Sequence, residues 1–558
     1  ALVCAEGTWG YDRLAREVEQ CQRALAAAGA GRGQVVAWLG LNSAAMLAML
    51  FACARVGAVF VPMNWRLAPP EHRAMLAECE PVLMFADAPF ATPSAAQAVA
   101  PARTRCVAAG ADLPAGWLPW AAFIEAGTLA PKAADSAQRA AVEPQAPLLL
   151  CYTSGSTGRP KGVLLSHDAL CANADASVDM HGMSDTDRVL TTLPLFHVGG
   201  LNIQTLPALR QGCTVVLHAK FDAEATLAAI EQHRVTLTVL VPAQLDAVMA
   251  LPRWPAADLS SLHAISTGST VVPERLIQAI HARGVPLIQV WGATETSPIA
   301  ACQHADEAYH TVCSSGRAAK GVALRIADID GQPLPAGQSG EILVRGRNVM
   351  SGYWRDPAAT ARALVDGWYH SGDRGRLDAD GFLWVDGRLK DMIISGGENV
   401  SPAEVETVLQ ESPDIAEASV VGRPDTRWGE LVVAVVVPRP GASLTPATVM
   451  ARLDGRIARY KQPKQVFIVD ALPRTALGKV RKEDVRALVA RLADEAATAP
   501  PSRESTAWHS RSASTSAAPS PTSSSRRTAS RRGSTRHCPR RRIRRSRWSR
   551  AWRRSRRA

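Results

Sequence analysis

The chain has 558 residues, 47% hydrophobic and 20% charged, which is enough for two or more domains with sizeable cores and has the texture of an ordinary soluble enzyme. Its net charge of +12 misleads: residues 501–558 hold eighteen arginines, one acid (Glu504) and no lysine, so the first 500 residues carry −5 and no argument for nucleic-acid binding rests on them. Eleven scattered cysteines with no C-x-x-C pair exclude a zinc ribbon and a disulfide framework, and buried free thiols in a reducing, cytoplasmic compartment are expected.

In chain order, Tyr11, Leu14, Val18, Cys21, Leu25 and Ala28 repeat at helical spacing, and Gly29 to Gly33 ends that helix. A strand over Gln34–Leu39, a helix over Ala44–Val56 and a strand over Ala58–Val61 follow. The apolar run Ala44 to Pro62 is interrupted by Arg55 and is too short on either side to span a bilayer. Pro69-Pro70-Glu71 opens another helix, and Pro81–Ala86 is a strand. Residues 87–147, rich in Ala and Pro, read as loops and short helices. Alternation then resumes, with strands at Arg188–Thr192, Cys213–His218, Val235–Val241 and Pro286–Trp291 and helices at Ala223–His233 and Pro273–Ala282. This predicts an α/β fold with parallel sheets. From Gly321 to Val385 short strands and turns suggest a β-rich subdomain. Beyond Asp391 a small α+β pattern runs from helix Pro402–Leu409 through strands Ala418–Val421 and Leu431–Val437, helix Thr445–Ile457 and strand Gln465–Val469 to helix Lys482–Leu492.

The last stretch, 493–558, is rich in Arg and Ser and too poor in apolar residues to form a core, so disorder is expected. Arg with Trp508, Trp548 and Trp552 would suit an RNA- or membrane-attracting arm; the plainer reading, a shifted reading frame in a GC-rich gene, is preferred. Residue 1 is Ala, and the true start is expected to lie upstream.

Four constellations carry chemistry. In Tyr152-Thr-Ser-Gly-Ser-Thr-Gly-Arg-Pro-Lys-Gly162, Thr153, Ser154, Gly155, Ser156, Thr157 and Gly158 crowd hydroxyls and bare backbone N–H groups ahead of one lysine, Lys161. Such a loop can wrap a polyphosphate. It is not the common P-loop, because Pro160 precedes the lysine and an apolar run follows, so a strand–loop–strand hairpin is expected. Gln289-Val-Trp-Gly-Ala-Thr-Glu-Thr-Ser297 places Thr294 and Glu295 just beyond a strand's carboxyl end, where α/β sheets bind ligands, and Glu295 is a candidate Mg²⁺ ligand. Asp373, in Tyr369-His-Ser-Gly-Asp373, can accept two ribose hydroxyls and Arg388 can brace a sugar or phosphate. Pro473-Arg-Thr-Ala-Leu-Gly-Lys479 presents a lysine on a turn, in a chain with nine lysines against fifty-four arginines. Taken singly, the second and third are more often a solvated turn or a surface ion pair.

Together with Leu193-Pro-Leu-Phe-His197, Gly340-Glu341, Gly387–Asn399 and Tyr460-Lys461, these motifs stand in one order from about Thr8 to about Leu492, and the chain resembles the adenylate-forming superfamily of acyl-CoA synthetases, nonribosomal adenylation domains and luciferases. The resemblance implies a large N-terminal domain of α/β sheets plus a β-rich subdomain (1–387), a hinge (388–391) at Lys390 and a small mobile α+β domain (392–492). It also implies ATP, Mg²⁺ and coenzyme A as cofactor and cosubstrates. The 153–158 loop and Lys161 would hold the β- and γ-phosphates, with Gly268, Trp291 and Gly292 nearby; Thr294 would contact the α-phosphate, Glu295 the magnesium, and Asp373 and Arg388 the ribose. Lys479 would bridge substrate carboxylate and α-phosphate. Rotation about Lys390 would then bring Ser395, Gly396, Gly397 and Glu398 to line a thiol channel. Two departures stand out: Arg474 where the family often has lysine, and the hydroxyl-rich Thr267-Gly268-Ser269-Thr270 in the acid-pocket loop.

Adenylation domains for amino acids usually carry an aspartate near His197; this chain offers Phe196 and His197, and no carrier-protein domain follows Leu492, so a free-standing acyl-CoA ligase is expected. His197 would act as a gate or line the acid pocket. Val198, Gly199, Gly200, Asn202 and Val241 would line an apolar acid pocket, which suggests a medium or long fatty acid, with benzoate- or cinnamate-like acids as the alternative. From another class, the body would be an inactive relative and the tail an RNA- or membrane-binding arm. The oligomeric state stays open, a homodimer included.

Overall fold

The computed structural model describes residues 1–92, 95, 104–110, 113–129, 142–153, 160–268, 272, 274–389, 392–473, 480 and 482–498. All of these but Thr498 fall in one compact unit, Ala1–Ala497.

Two large sheets dominate. One has nine strands in the order 317–318, 301–302, 287–291, 264–268, 237–239, 188–191, 214–217, 2–4, 7–9, and the run from 287–291 to 2–4 is parallel. The other has eight, in the order 352–353, 161–166, 147–153, 59–63, 35–39, 83–86, 105–108, 117–119, parallel from 147–153 onward. Strands such as Val35–Leu39, Val59–Met63 and Leu287–Trp291 are buried along their whole length, which is why they read as unbroken apolar runs. One core is shared by both sheets: Val36, Phe60 and Leu149 from the eight-stranded sheet join Val189, Val215 and Ile288 from the nine-stranded sheet. Helix Ala44–Val56 lies in that core and is therefore apolar nearly all round; Ser43 caps it by accepting from Met46 N, and Gly57 ends it at φ 74°.

Residues 87–147 hold more sheet than expected. Strands Arg105–Ala108 and Trp117–Pro119 extend the eight-stranded sheet, and helix Trp120–Leu129 follows. These strands are short, and their apolar residues are mixed with Ala and Pro, so they give a weak signal in sequence. The β-rich subdomain is a five-stranded antiparallel sheet built from 322–327, 340–346, 364–365, 368–377 and 383–388.

The C-terminal sheet carries 398–400, 393–395, 429–438 and 415–425 in antiparallel order, with 465–468 added in parallel. Its two longest strands, Ile415–Asp425 at an edge and Gly429–Pro438 beside it, exceed expectation because each continues past its apolar run into a paired hairpin. The helix expected over Thr445–Ile457 is shorter, Pro446–Ala451. The last helix, Lys482–Thr498, runs six residues into the stretch read as a tail, carried by the helix formers of Ala493-Asp-Glu-Ala-Ala-Thr498. The rest of the expected tail lies outside the described residues. Among the described residues no helix is long and apolar enough to cross a membrane.

Candidate active site

The expected phosphate loop sits in a hairpin. Strand Pro147–Thr153 pairs antiparallel with Lys161–Ser166, and Thr153 faces Lys161 across the ladder. Residues 154–159 themselves, and with them the Ser154, Gly155, Ser156, Thr157 and Gly158 assignments, lie outside the described residues. Gly162 has a packing reason: a Cβ there would stand 2.7 Å from Leu150 Cδ1 and 3.0 Å from Trp354 Cβ. That bare backbone lets the edge strand Gly352–Tyr353 pair with Val163 and Leu164. Tyr353, which has no signal of its own in the sequence, then stands beside the loop lysine, with Lys161 Nζ 4.9 Å from its ring centroid. Its hydroxyl donates to Glu295 Oε1 at 2.8 Å. Burial and the neighbouring carboxylate hold the Tyr353 proton firmly, so the phenol remains a donor.

Thr294–Thr296 forms a single tight turn after strand Leu287–Trp291. Thr296 Oγ1 accepts from Ala293 N at 2.9 Å, and Asn348 Nδ2 donates to Thr296 O and Ile299 O at 2.9 and 2.8 Å. The two Asn348 bonds are buried, so the backbone that presents Thr294 and Glu295 is fixed. Met350 N adds a bond to Glu295 O at 2.8 Å.

The third constellation is held from two directions. Asp373 Oδ2 accepts from the indole N–H of Trp291 at 3.0 Å, and in the strand register Asp373 lies opposite Arg388. The Arg388 backbone is therefore a cross-strand neighbour of Asp373; its side chain lies outside the described set. Glu341 accepts from Gly372 N at 2.9 Å with Oε1 and meets His370 Nδ1 at 2.9 Å with Oε2, which pins the turn just before Asp373.

These groups open onto one cavity of about 860 Å³, lined at its polar side by Thr153, Lys161, Thr294, Glu295, Tyr353 and Asp373, with Gly292 between them. Its apolar side is Val198, Gly199, Ile203, Val290 and Pro298. His197 lines the same cavity. Its Nδ1 accepts from Gly199 N at 3.1 Å, which leaves the ring proton on Nε2, and burial lowers its pKa, so the imidazole is neutral.

Not every expected pocket residue reaches the cavity. Gly199 lines the cavity, and a Cβ there would stand only 3.1 Å from His197 Nδ1, so its bareness accommodates the His197 ring. At Gly200 a Cβ would lie 2.3 Å from Pro194 O, so its bareness serves packing, and it lies outside the lining. Asn202 is 1% exposed and lies outside the lining, as do Gly268 and Trp291. Gly268 is glycine because strand Leu287–Trp291 runs close by, with Val290 O 2.4 Å from a Cβ built there.

The C-terminal segment reaches the same cavity. Gly396 and Gly397, at φ 60° and 81°, make the turn between Ser395 and Glu398. A Cβ on Gly397 would come within 3.3 Å of Val241, and one on Gly396 within 2.7 Å of the Trp428 ring. Gly397 and Asn399 line the cavity, while Glu398 pairs with Arg66, whose guanidinium lies 5.1 Å from the ring centroids of both Phe196 and Tyr460. Arg66 was not singled out in the sequence, where an isolated arginine after Trp65 carries no pattern. Lys390 and Lys479 lie outside the described residues.

Comparison with known proteins agrees with this arrangement. The model of the AMP-binding enzyme family matches residues 1–354, and that of the AMP-binding enzyme C-terminal domain matches 404–479. The chain is 58% identical over 492 residues to an indoleacetate–CoA ligase of Aromatoleum aromaticum, covering 88% of this chain and 95% of the relative. It is 43% identical over 481 residues to a feruloyl-CoA synthase of an Amycolatopsis species, covering 85% and 93%. Among solved structures, an amide bond synthetase from Marinactinospora thermotolerans superposes with a TM-score of 0.78 at 32% identity, covering 88% of this chain and 97% of the other.

Proposed function

The chain belongs to the AMP-binding enzyme family, and on that premise we propose that it activates a planar aromatic acid, of the arylacetate or arylpropenoate kind, as its adenylate and passes the acyl group to CoA. It is an acyl-CoA synthetase, an acid–CoA ligase that uses ATP and CoA.

The observation that carries the aromatic reading is the apolar side of the cavity. Gly199 stands there without a side chain among the lining residues Val198, Ile203, Val290 and Pro298. The elements that carry this lining also carry a buried polar cluster: Gln204, next to Ile203, bonds His181 at 2.9 Å and Ser266 at 3.2 Å, and His181 bonds Ser266 at 2.7 Å. Ser266 lies on the strand next to Val290's. Opening a long alkyl tunnel between these elements would break buried hydrogen bonds, each costly to leave unmade. A short, flat substrate avoids that cost. The indoleacetate and feruloyl specificities named for the two relatives point the same way. The fatty acid expected from the apolar lining alone gives way here to its aryl alternative.

In this reading Thr153 and Lys161, with the loop between them, hold the β- and γ-phosphates, Thr294 the α-phosphate, and Asp373 and Arg388 the ribose. Trp291, Gly268 and Gly292 shape the nucleotide's surroundings. Among the described residues no group of three His, Cys, Asp or Glu could hold a metal by itself. A single carboxylate suits Mg²⁺, which takes the rest of its shell from phosphate oxygens and water, so Glu295 would hold it, oriented by Tyr353. The ion would offset phosphate charge as pyrophosphate leaves. Lys479 would neutralise charge between carboxylate and α-phosphate. Residues 1–387 and 392–492 would be the two domains, turning about Lys390, with Ser395–Glu398 lining the thiol's approach and neutral His197 at its inner end. We place the enzyme in the cytoplasm, since the cysteines among the described residues are all free thiols.

The test is acid-dependent pyrophosphate release over a panel of indole-3-acetate, ferulate, cinnamate, benzoate and saturated fatty acids of graded length. A kcat/KM for the best aromatic acid at least about tenfold above every fatty acid is expected. A fatty acid in first place would overturn the reading.

A further inference from the structure

Three ionisable side chains meet where the C-terminal segment docks on the large domain. Lys461 Nζ lies 2.7 Å from Glu71 Oε1 and 2.6 Å from Glu404 Oε1, and the side chains are only 5%, 9% and 9% exposed. Glu404 sits in helix Pro402–Gln410 and Lys461 in the turn ahead of strand Gln465–Ile468, both in the C-terminal segment; Glu71 does not belong to it. It sits in the first turn of helix Pro69–Cys79, where its other oxygen accepts from Ala68 N at 2.8 Å. Glu71 is thus clamped to the large domain by one oxygen and holds Lys461 with the other.

Burying charge is expensive unless each charge is matched, and removing one member of a buried group leaves the others uncompensated. Glu404 shows the strain of that burial: desolvation pushes its pKa up to about 7 despite the adjacent lysine. Glu71 meets Lys461 only in this orientation, because a turn of the C-terminal segment would carry Lys461 and Glu404 away as a pair and leave Glu71 behind. Around the triad, Asn64 reaches Tyr460 Oη at 3.4 Å, Arg66 pairs with Glu398, and His72 Nε2 meets Asn64 O at 2.8 Å. The orientation so fixed is the one in which Gly397 packs on Val241 and lines the cavity.

We propose that Glu71 is a positioning residue for thioester formation: acting through Lys461, it holds the C-terminal segment in the orientation that sets the Gly396–Gly397 turn at the cavity. The proposal rests on the acid–CoA ligase reading. It separates the two half-reactions, because on that reading the turn serves the thiol's approach and the adenylate forms without it.

The test measures each half-reaction in single turnover on the full chain: acyl-AMP formation from acid and ATP without CoA, and transfer from preformed acyl-AMP to CoA. In Glu71→Gln the amide oxygen still caps Ala68 N while the ionic contact is lost. Acyl-AMP formation within about twofold of the parent, with transfer slowed about tenfold to a hundredfold, is expected. Glu71→Asp, which keeps the charge but is one methylene shorter, should fall between them. The triple variant Glu71→Gln, Glu404→Gln, Lys461→Met removes the contact without stranding a buried charge, and should show the same split if the single variant does not fold. Equal loss in both half-reactions, or transfer at the parent's rate, would overturn the proposal. A parent chain that forms acyl-AMP but never a thioester would overturn the ligase reading and this inference with it.

Discussion

The indole N–H of Trp291 donates to Oδ2 of Asp373 at 3.0 Å, with both residues less than one-tenth exposed. This bond joins the end of a buried parallel strand in the large domain to a strand of the antiparallel subdomain, and so sets where the candidate ribose-binding carboxylate stands. Trp291→Phe keeps the ring and deletes the donor. Losing a bond to a buried charge costs about 1–3 kcal/mol, so the KM for ATP should rise roughly tenfold with kcat less affected. Initial rates of pyrophosphate release against ATP check this, and an unchanged KM would detach the bond from nucleotide binding.

Tyr353 connects two motifs whose lysine and glutamate, Lys161 and Glu295, are 134 residues apart in sequence. Tyr353→Phe leaves the ring under Lys161 and removes only the hydroxyl on Glu295. The Mg²⁺ concentration for half-maximal adenylate formation should rise about three- to tenfold, as expected for losing one charge-assisted bond. Magnesium titrations at fixed ATP read the effect. Glu295→Gln should give a larger shift in the same direction.

Much of the site was legible because phosphate chemistry needs unusual local composition. Clustered Gly, Ser and Thr before Lys161, and Thr294-Glu295 after an apolar strand, stand out one stretch at a time. What stayed hidden is tertiary. Tyr353, Arg66 and Glu71 are ordinary residues locally, and acquire roles only when an edge strand or a docked domain brings them beside a motif. Gly200 shows the reverse error, a motif glycine whose bareness relieves contact with Pro194 O and opens no pocket. The parallel strands were legible from their unbroken burial, whereas Arg105–Ala108 and Trp117–Pro119 were hidden by an Ala/Pro-rich context.

Asp87 gives a pH-dependent stability. Its Oδ2 accepts from Leu41 N at 2.8 Å, yet burial dominates and raises its pKa to about 6. A carboxyl whose folded pKa lies above its unfolded value contributes stability that is full below about pH 4 and lost as pH rises through about 6. Asp87→Asn retains an acceptor for Leu41 N and carries no charge. Relative to the parent it should gain on the order of 1–2 kcal/mol at pH 8, and the gain should shrink towards pH 5. Urea unfolding midpoints at the two pH values check the sign; a gain that grows towards pH 5 would refute it.

Ile203 tests the shape of the acid pocket. It is 5% exposed and lines the apolar wall next to Gly199. Ile203→Phe fills space a bicyclic ring would occupy, so kcat/KM for indole-3-acetate should fall about tenfold to a hundredfold while benzoate loses far less. Paired kinetics with the two acids give the ratio directly.

The most direct measurement is a competition. The full chain is given ATP, Mg²⁺ and CoA with equal concentrations of indole-3-acetate, ferulate and palmitate, and the thioesters formed at low conversion are quantified by mass spectrometry. An aromatic acyl-CoA in at least about tenfold excess over palmitoyl-CoA is the predicted result. Palmitoyl-CoA in excess, or adenylates with no thioester, would contradict it.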